Sequence, residues 1–141
     1  MRVNKFNHEG YLDLTAYGAE MAIERDLKSG YFGPFVYICS PFKGDVKTNI
    51  QNARRYSRFA VEQGVIPLAP HLLFPQFMDD ANPIERQKAL GMGLVLLTKC
   101  QELWCFGSHI SYGMSLELEK ARRRGVKIRR FSESCVKVKH D

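Results

Sequence analysis

An α/β fold is what this sequence predicts: a mainly parallel sheet of four to five strands, covered by helices on both faces and preceded by an N-terminal helical extension. Three observations carry it. Apolar runs about five residues long recur, as expected of strands buried on both faces. Between them lie longer stretches whose apolar residues fall three and four apart, the helical spacing. The two kinds of segment alternate along the chain, which favours parallel strands joined by crossover helices.

Taken in order, residues 1–12 read as a loose lead-in. Asp13 and Thr15 are candidate N-caps for a helix reaching Lys28, with Ser29-Gly30 as its stop and residues 30–34 as a connector. Phe35-Val36-Tyr37-Ile38-Cys39 is the first strand, broken by Ser40-Pro41-Phe42-Lys43-Gly44-Asp45. A helix over residues 46–63 follows, with Val46, Ile50, Ala53 and Ala60 on one stripe and Gly64 ending it. Residues 65–69 form a second strand in which Pro67 marks an irregularity or an exposed edge. Residues 70–75 are an apolar loop or short helix. The turn Asp79-Asp80-Ala81-Asn82-Pro83 leads into a helix over residues 84–99. Glu102-Leu103-Trp104-Cys105-Phe106 is the third strand, closed by Gly107. A helix over residues 112–124 stops at Gly125, and residues 126–129 alternate as a half-exposed fourth strand. The arrangement is a Rossmann/flavodoxin-like three-layer sandwich.

The 141 residues suit one such domain, read here as residues 35–131, with an N-terminal extension at 1–34 and a basic tail at 132–141. Hydrophobic residues at 45% and charged residues at 26% exclude global disorder. No apolar run approaches the ~20 residues of a membrane-spanning helix, and the first residues lack the apolar core of a secretory signal. These features predict a cytoplasmic protein with no membrane partner. The four cysteines, Cys39, Cys100, Cys105 and Cys135, form no C-x-x-C pair and have no histidine at zinc spacing, so reduced thiols are expected and neither a metal nor a cofactor is. The formal charge is +6. Nine basic residues lie between Lys120 and Lys139 against the single acid Glu133, leaving twelve basic and fourteen acidic residues elsewhere. Such a stripe can attract phosphate compounds or nucleic acid; its plainer reading is a solvated helix face and a frayed tail.

In parallel α/β sheets, ligands bind beyond the carboxyl ends of the strands. That rule gathers residues 40–45, 69–74 and 107–117. The first loop offers the hydroxyl of Ser40, then Pro41, Phe42 and Gly44 ahead of a helix whose free N–H groups can hold an anion; Asp45 reads equally well as that helix's N-cap. His71 can hydrogen-bond a base or sugar, move a proton, or simply brace its loop. Ser108, Ser111 and Gly113 precede or open the last helix, an arrangement suited to phosphate. Phe42, Tyr112 and Met114 flank the cleft, where a planar base can stack.

Glu117 stands out. Met114, Leu118 and Ala121 fall on the inward stripe of the last helix, and Glu117 lies beside them, whereas Glu119 points outward. An inward carboxylate is unfavourable without a partner or a task. The helix dipole favours its ionised form, and an ionised carboxylate in a cleft can attack an anomeric carbon. The alternative is a boundary glutamate paired with Arg54 or Arg122.

The strand and loop Val36-Tyr37-Ile38-Cys39-Ser40-Pro41-Phe42, with Ser111-x-Gly113-x-x-x-Glu117 followed by Ala121 and Gly125, resemble the nucleoside 2-deoxyribosyltransferase-like superfamily, which includes 2'-deoxynucleoside 5'-monophosphate N-glycosidases. The resemblance spans residues 35–131. The segment HLLFPQFMDD and the N-terminal text look most like small bacterial and phage members. The resemblance implies that Ser111 and Gly113 hold a 5'-phosphate, that Glu117 is the nucleophile, and that residues 40–44 line the sugar and base pocket. It also implies a homodimer or higher homo-oligomer. One departure stands against it: the superfamily's enzymes carry an aspartate in the helix before the third strand, and residues 90–98 hold no acid. Asp79, Asp80, Glu85 and His71 are the candidates to replace it. Three readings follow: an N-glycosidase or deoxyribosyltransferase-like enzyme acting on a nucleotide or nucleoside, a module of the same fold that binds nucleotides without turnover, and, as the weakest, a nucleic-acid accessory protein.

Overall fold

The computed structural model describes residues 14–30 and 32–138. The chain divides into two units at residues 33 and 34. The first contains a single described helix, α1 (Leu14–Ser29). Thr15 lies inside it and so is not its N-cap; Asp13 and the lead-in at 1–12 fall outside the described residues.

The second unit contains β1 (Phe35–Cys39), α2 (Val46–Glu62), β2 (Ile66–Leu68), α3 (Pro70–Leu73), a 3₁₀ turn (Phe74–Gln76), α4 (Pro83–Leu97), β3 (Glu102–Phe106), α5 (Tyr112–Arg124) and β4 (Lys127–Phe131). The sheet has four strands in the order β2-β1-β3-β4, all parallel. β2 is shorter than its apolar run because Pro67 has no N–H to extend a ladder, and it lies at an edge, where that loss is tolerated. β4, at the other edge, is half-exposed and runs on to Phe131, two residues beyond the alternation seen in sequence.

Side-chain alternation along the strands builds two cores. Val36, Ile38, Trp104, Phe106 and Phe131 pack with Tyr56 and Ala60 of α2 on one face. Tyr37, Cys39, Leu103 and Cys105 pack with Leu97 of α4 and with Met114, Leu118 and Ala121 of α5 on the other. The result is the three-layer α/β sandwich expected. Ala53, Tyr56 and Ala60 form the buried stripe of α2, whereas Val46, at the first turn, is exposed.

Each long helix of this unit has a local reason to begin or end. The Asp45 side chain accepts from Thr48 N at 3.2 Å and caps α2. Asn82 accepts from the amides of Ile84 and Glu85 and caps α4. Ser111 Oγ accepts from Met114 N at 3.2 Å and caps α5, which stops where Gly125 takes a left-handed φ of 70°. Residues 132–138 do not trail free, contrary to the frayed tail expected. Val138 N donates to Arg130 O at 2.9 Å, and Arg55 of α2 donates to Glu133 O, tying the segment to β4 and α2. Among the described residues no helix is long and apolar enough to cross a membrane.

The strand order sets the position of the site. From β1 the chain steps outward to β2 through α2, then returns across β1 to β3 through α4 on the opposite face. Successive connections therefore leave β1 and β3 in opposite directions, and a crevice opens at their carboxyl ends.

Candidate active site

A cavity of about 320 Å³ occupies that crevice. Tyr37 and Ser40 reach it from β1 and its exit, His71 and Phe74 from the segment after β2, and Met114 and Glu117 from α5. Of the residues singled out in the sequence, Ser40, Phe42, His71, Ser111, Gly113, Met114 and Glu117 line it together. Pro41, Gly44 and Ser108 do not. Gly44 is exposed with φ 95° in the turn before α2, and Ser108 is exposed just past Gly107, whose φ is 89°.

Glu117 projects from the second turn of α5 to the floor of the cavity. The Tyr37 hydroxyl donates to its Oε2, and the Cys39 thiol donates to Oε1 at 3.5 Å. No arginine pairs with it among the described residues, so the ion-pair alternative through Arg54 or Arg122 does not describe its surroundings. Burial pushes its pKa up to about 7, against the hydrogen bonds from Tyr37 and Cys39, which favour the charged form. The helix dipole was expected to keep it ionised. At the sixth residue of α5 that influence has faded, and desolvation prevails.

Tyr37 itself is held well above the ordinary phenol range, first by burial and then by the charge of Glu117, so it stays a donor. It was missed in sequence because it sits inside a continuously apolar strand. The available signal was its hydroxyl, which requires a partner when the strand is buried.

Ser40 is buried, and its Oγ lies 3.0 Å from His71 Nε2. Burial lowers the His71 pKa to about 4, so the imidazole is neutral at pH 7 and serves as a hydrogen-bonding group without a charge. The Phe42 ring stands 6.1 Å from His71, tilted by 60°. At the mouth, Tyr112 is exposed, and a Cβ built at Gly113 meets nothing within 4 Å, so the first turn of α5 faces open space. Ser111, although committed as an acceptor to Met114 N, keeps its hydroxyl proton for another partner.

The far wall comes from the turn before α4 and from α4 itself. Asp79, Asp80 and Glu85 line it, with Leu90 and Gly93 deeper in. Asp79 Oδ1 accepts from Ala81 N and Glu85 Oε1 from Asp79 N, both at 3.0 Å. The inner part of the wall carries no acid, and at Gly93 a Cβ would lie 3.1 Å from the Tyr37 hydroxyl oxygen. Among the described residues no three His, Cys, Asp or Glu side chains converge as metal ligands.

The sandwich and its crevice define a nucleoside 2-deoxyribosyltransferase-like fold. A 2-deoxyribosyltransferase from the psychrotolerant bacterium Bacillus psychrosaccharolyticus is similar with a TM-score of 0.58 and 15% identity, over 70% of this chain and 72% of that one. A 2-deoxyribosyltransferase from Leishmania mexicana is similar with a TM-score of 0.53 and 16% identity, over 71% of this chain and 65% of that one. No curated protein matches. The chain belongs to the family described as a domain of unknown function (DUF7768), whose model matches residues 34–131.

Proposed function

We propose that this protein cleaves the N-glycosidic bond of a nucleotide or nucleoside, as a glycosidase or a deoxyribosyltransferase-like enzyme, with Glu117 as the nucleophile. The observation that carries the reading is the Glu117 carboxylate on the floor of an open cavity, held by two neutral donors and, among the described residues, by no cation. A carboxylate partnered by a cation is stabilised as a spectator; one held by Tyr37 and Cys39 keeps electron density for an electrophile.

Ionised Glu117 attacks the anomeric carbon. The bond from that carbon to the base breaks, the base leaves with the electron pair and takes up a proton, and a glycosyl ester forms. Water or a second base resolves the ester. Ser111, Gly113 and the free amides of the first turn of α5 hold the 5'-phosphate. Ser40, Phe42 and neutral His71 line the sugar and base, with Met114 beneath. No cofactor or metal enters this chemistry. Attack requires the ionised form, so the rate rises with pH through about 7, where Glu117 deprotonates.

A panel of ribo- and deoxyribonucleosides and their 5'-monophosphates, followed by chromatography of free base, tests the reading. Release is expected from at least one of them and is abolished in Glu117→Ala. A panel that yields no base with the unaltered protein overturns it. One observation favours a second reading, a module that binds nucleotides without turnover: residues 90–98, before the third strand, offer no acid to protonate the departing base, which is commonly worth 10²–10⁴-fold in rate. Nucleotide binding by calorimetry without release selects that reading. Homo-oligomerisation, implied by the family resemblance, is read from light scattering of the same sample.

A further inference from the structure

The two oxygens of Glu117 are held unequally. Oε2 receives the Tyr37 O–H, and Oε1 receives the Cys39 S–H across 3.5 Å, a thiol being much the weaker donor. Cys39 is fully buried on β1, where Cys105 of β3 stands opposite it in register. Hydrogen bonding with Cys105, burial and the nearby Glu117 carboxylate all raise its pKa well above the usual thiol range, so it keeps the proton it donates.

We propose that Cys39 is a positioning residue for Glu117: its thiol orients the carboxylate through Oε1 with a donor weak enough to leave that oxygen's electron pairs available, while Tyr37 anchors Oε2. This rests on the reading of Glu117 as nucleophile and adds what aims its carboxylate. The other titratable groups near the carboxylate are Tyr37 on β1 and Cys105 on β3, and the walls of the cavity add Lys43, Asp79, Asp80, Glu85, Arg86 and neutral His71. Among the described residues the hydrogen bond to Oε1 comes from Cys39, so its contribution can be isolated.

The test is a carboxyl-carbon NMR titration of Glu117 in the unaltered protein, Cys39→Ala and Cys39→Ser, with assignment by Glu117→Gln. Loss of the thiol in Cys39→Ala should move the Glu117 midpoint above about 7, because a donor to the charged form is gone. Cys39→Ser, with a stronger hydroxyl donor, should return the midpoint to the original value or below it. An unmoved midpoint in Cys39→Ala overturns the proposal.

Should the variants fail to fold, infrared spectra of the intact protein decide. One cysteine S–H band should shift as Glu117 titrates and should be displaced in Glu117→Gln; no moving band overturns the proposal. Where base release is measurable, Cys39→Ala should lower kcat by up to about tenfold with KM unchanged, and Cys39→Ser should restore the midpoint without restoring kcat. Neither titration nor infrared requires turnover. A moving band with no base released sinks the glycosidase reading and leaves the contact standing; base release indifferent to Cys39 sinks the positioning role and leaves the glycosidase reading standing.

Discussion

Glu117 and His71 line the same cavity, and burial acts on them in opposite directions, since it disfavours whichever form is charged. The carboxyl rises to about 7 and the imidazole falls to about 4, so both are close to neutral between about pH 5 and 6. Tyr37 offsets part of this for Glu117 by donating to the ionised form. Tyr37→Phe should therefore push the Glu117 pKa higher still and carry the acid limb of the base-release pH profile upward with it. A profile that keeps its acid limb near pH 7 would show that the hydroxyl has no part in the ionisation. At this scale the sequence was uneven. Glu117 was legible because a carboxylate beside Met114, Leu118 and Ala121 breaks the apolar stripe of a helix. Tyr37 and Cys39 were not, because each reads as an ordinary residue of a buried strand, and only cross-element packing reveals what their polar atoms touch.

Among the elements, α4 and α5 form the working pair, packed on the face of the sheet that holds Tyr37, Cys39 and Cys105. Gly93 lets the backbone of α4 approach the Tyr37 hydroxyl. Gly93→Ala would place a methyl group 3.1 Å from that oxygen, and either α4 or the tyrosine must give way. The expected cost is ~1–3 kcal/mol, measured by denaturant unfolding, together with a loss of base release as the Tyr37–Glu117 contact is disturbed. On the opposite face, Asp45→Ala removes the cap of α2 and should cost about 1 kcal/mol in the same assay. Comparing the two separates a change that acts on the site from one that acts on stability. Element positions were largely readable from periodicity, glycine stops and cap residues. The exceptions have local causes: β2 is cut short at the edge containing Pro67, and residues 132–138 are drawn back by hydrogen bonds to β4 and α2.

Across the whole molecule, the two shifted groups make stability depend on pH with opposite signs. The folded Glu117 pKa, about 7, lies above its ordinary 4.5, so its contribution is complete below 4.5 and is lost as pH rises through 7. The folded His71 pKa, about 4, lies below its ordinary 6.5, so its contribution is present above 6.5 and is lost as pH falls through 4. Between about 4.5 and 6.5 the two slopes oppose each other, and their joint effect on the unfolding free energy is nearly flat. Glu117→Gln removes one of them. The variant should be more stable than the parent above pH 7, by roughly 3 kcal/mol from the linkage relation, and should gain stability with rising pH from 4.5 to 6.5. Denaturant melts from about pH 4.5 to pH 8 check both outcomes; equal stability of parent and variant at pH 8 contradicts the burial of the carboxylate.

By itself the sequence determined the layered α/β architecture, the order of its elements, and a cleft-facing glutamate near the start of the last helix. These follow from local rules: strand and helix periods, caps, and the cost of placing a charge on an apolar stripe. Only the tertiary structure decided that Tyr37 and Cys39 share the two oxygens of Glu117, that His71 is neutral against Ser40, and that Gly93 lies against the Tyr37 hydroxyl. Those properties depend on distances between residues far apart in the chain and on how completely water is excluded there. Neither is encoded in any local pattern; both arise when the sheet brings β1, α4 and α5 together.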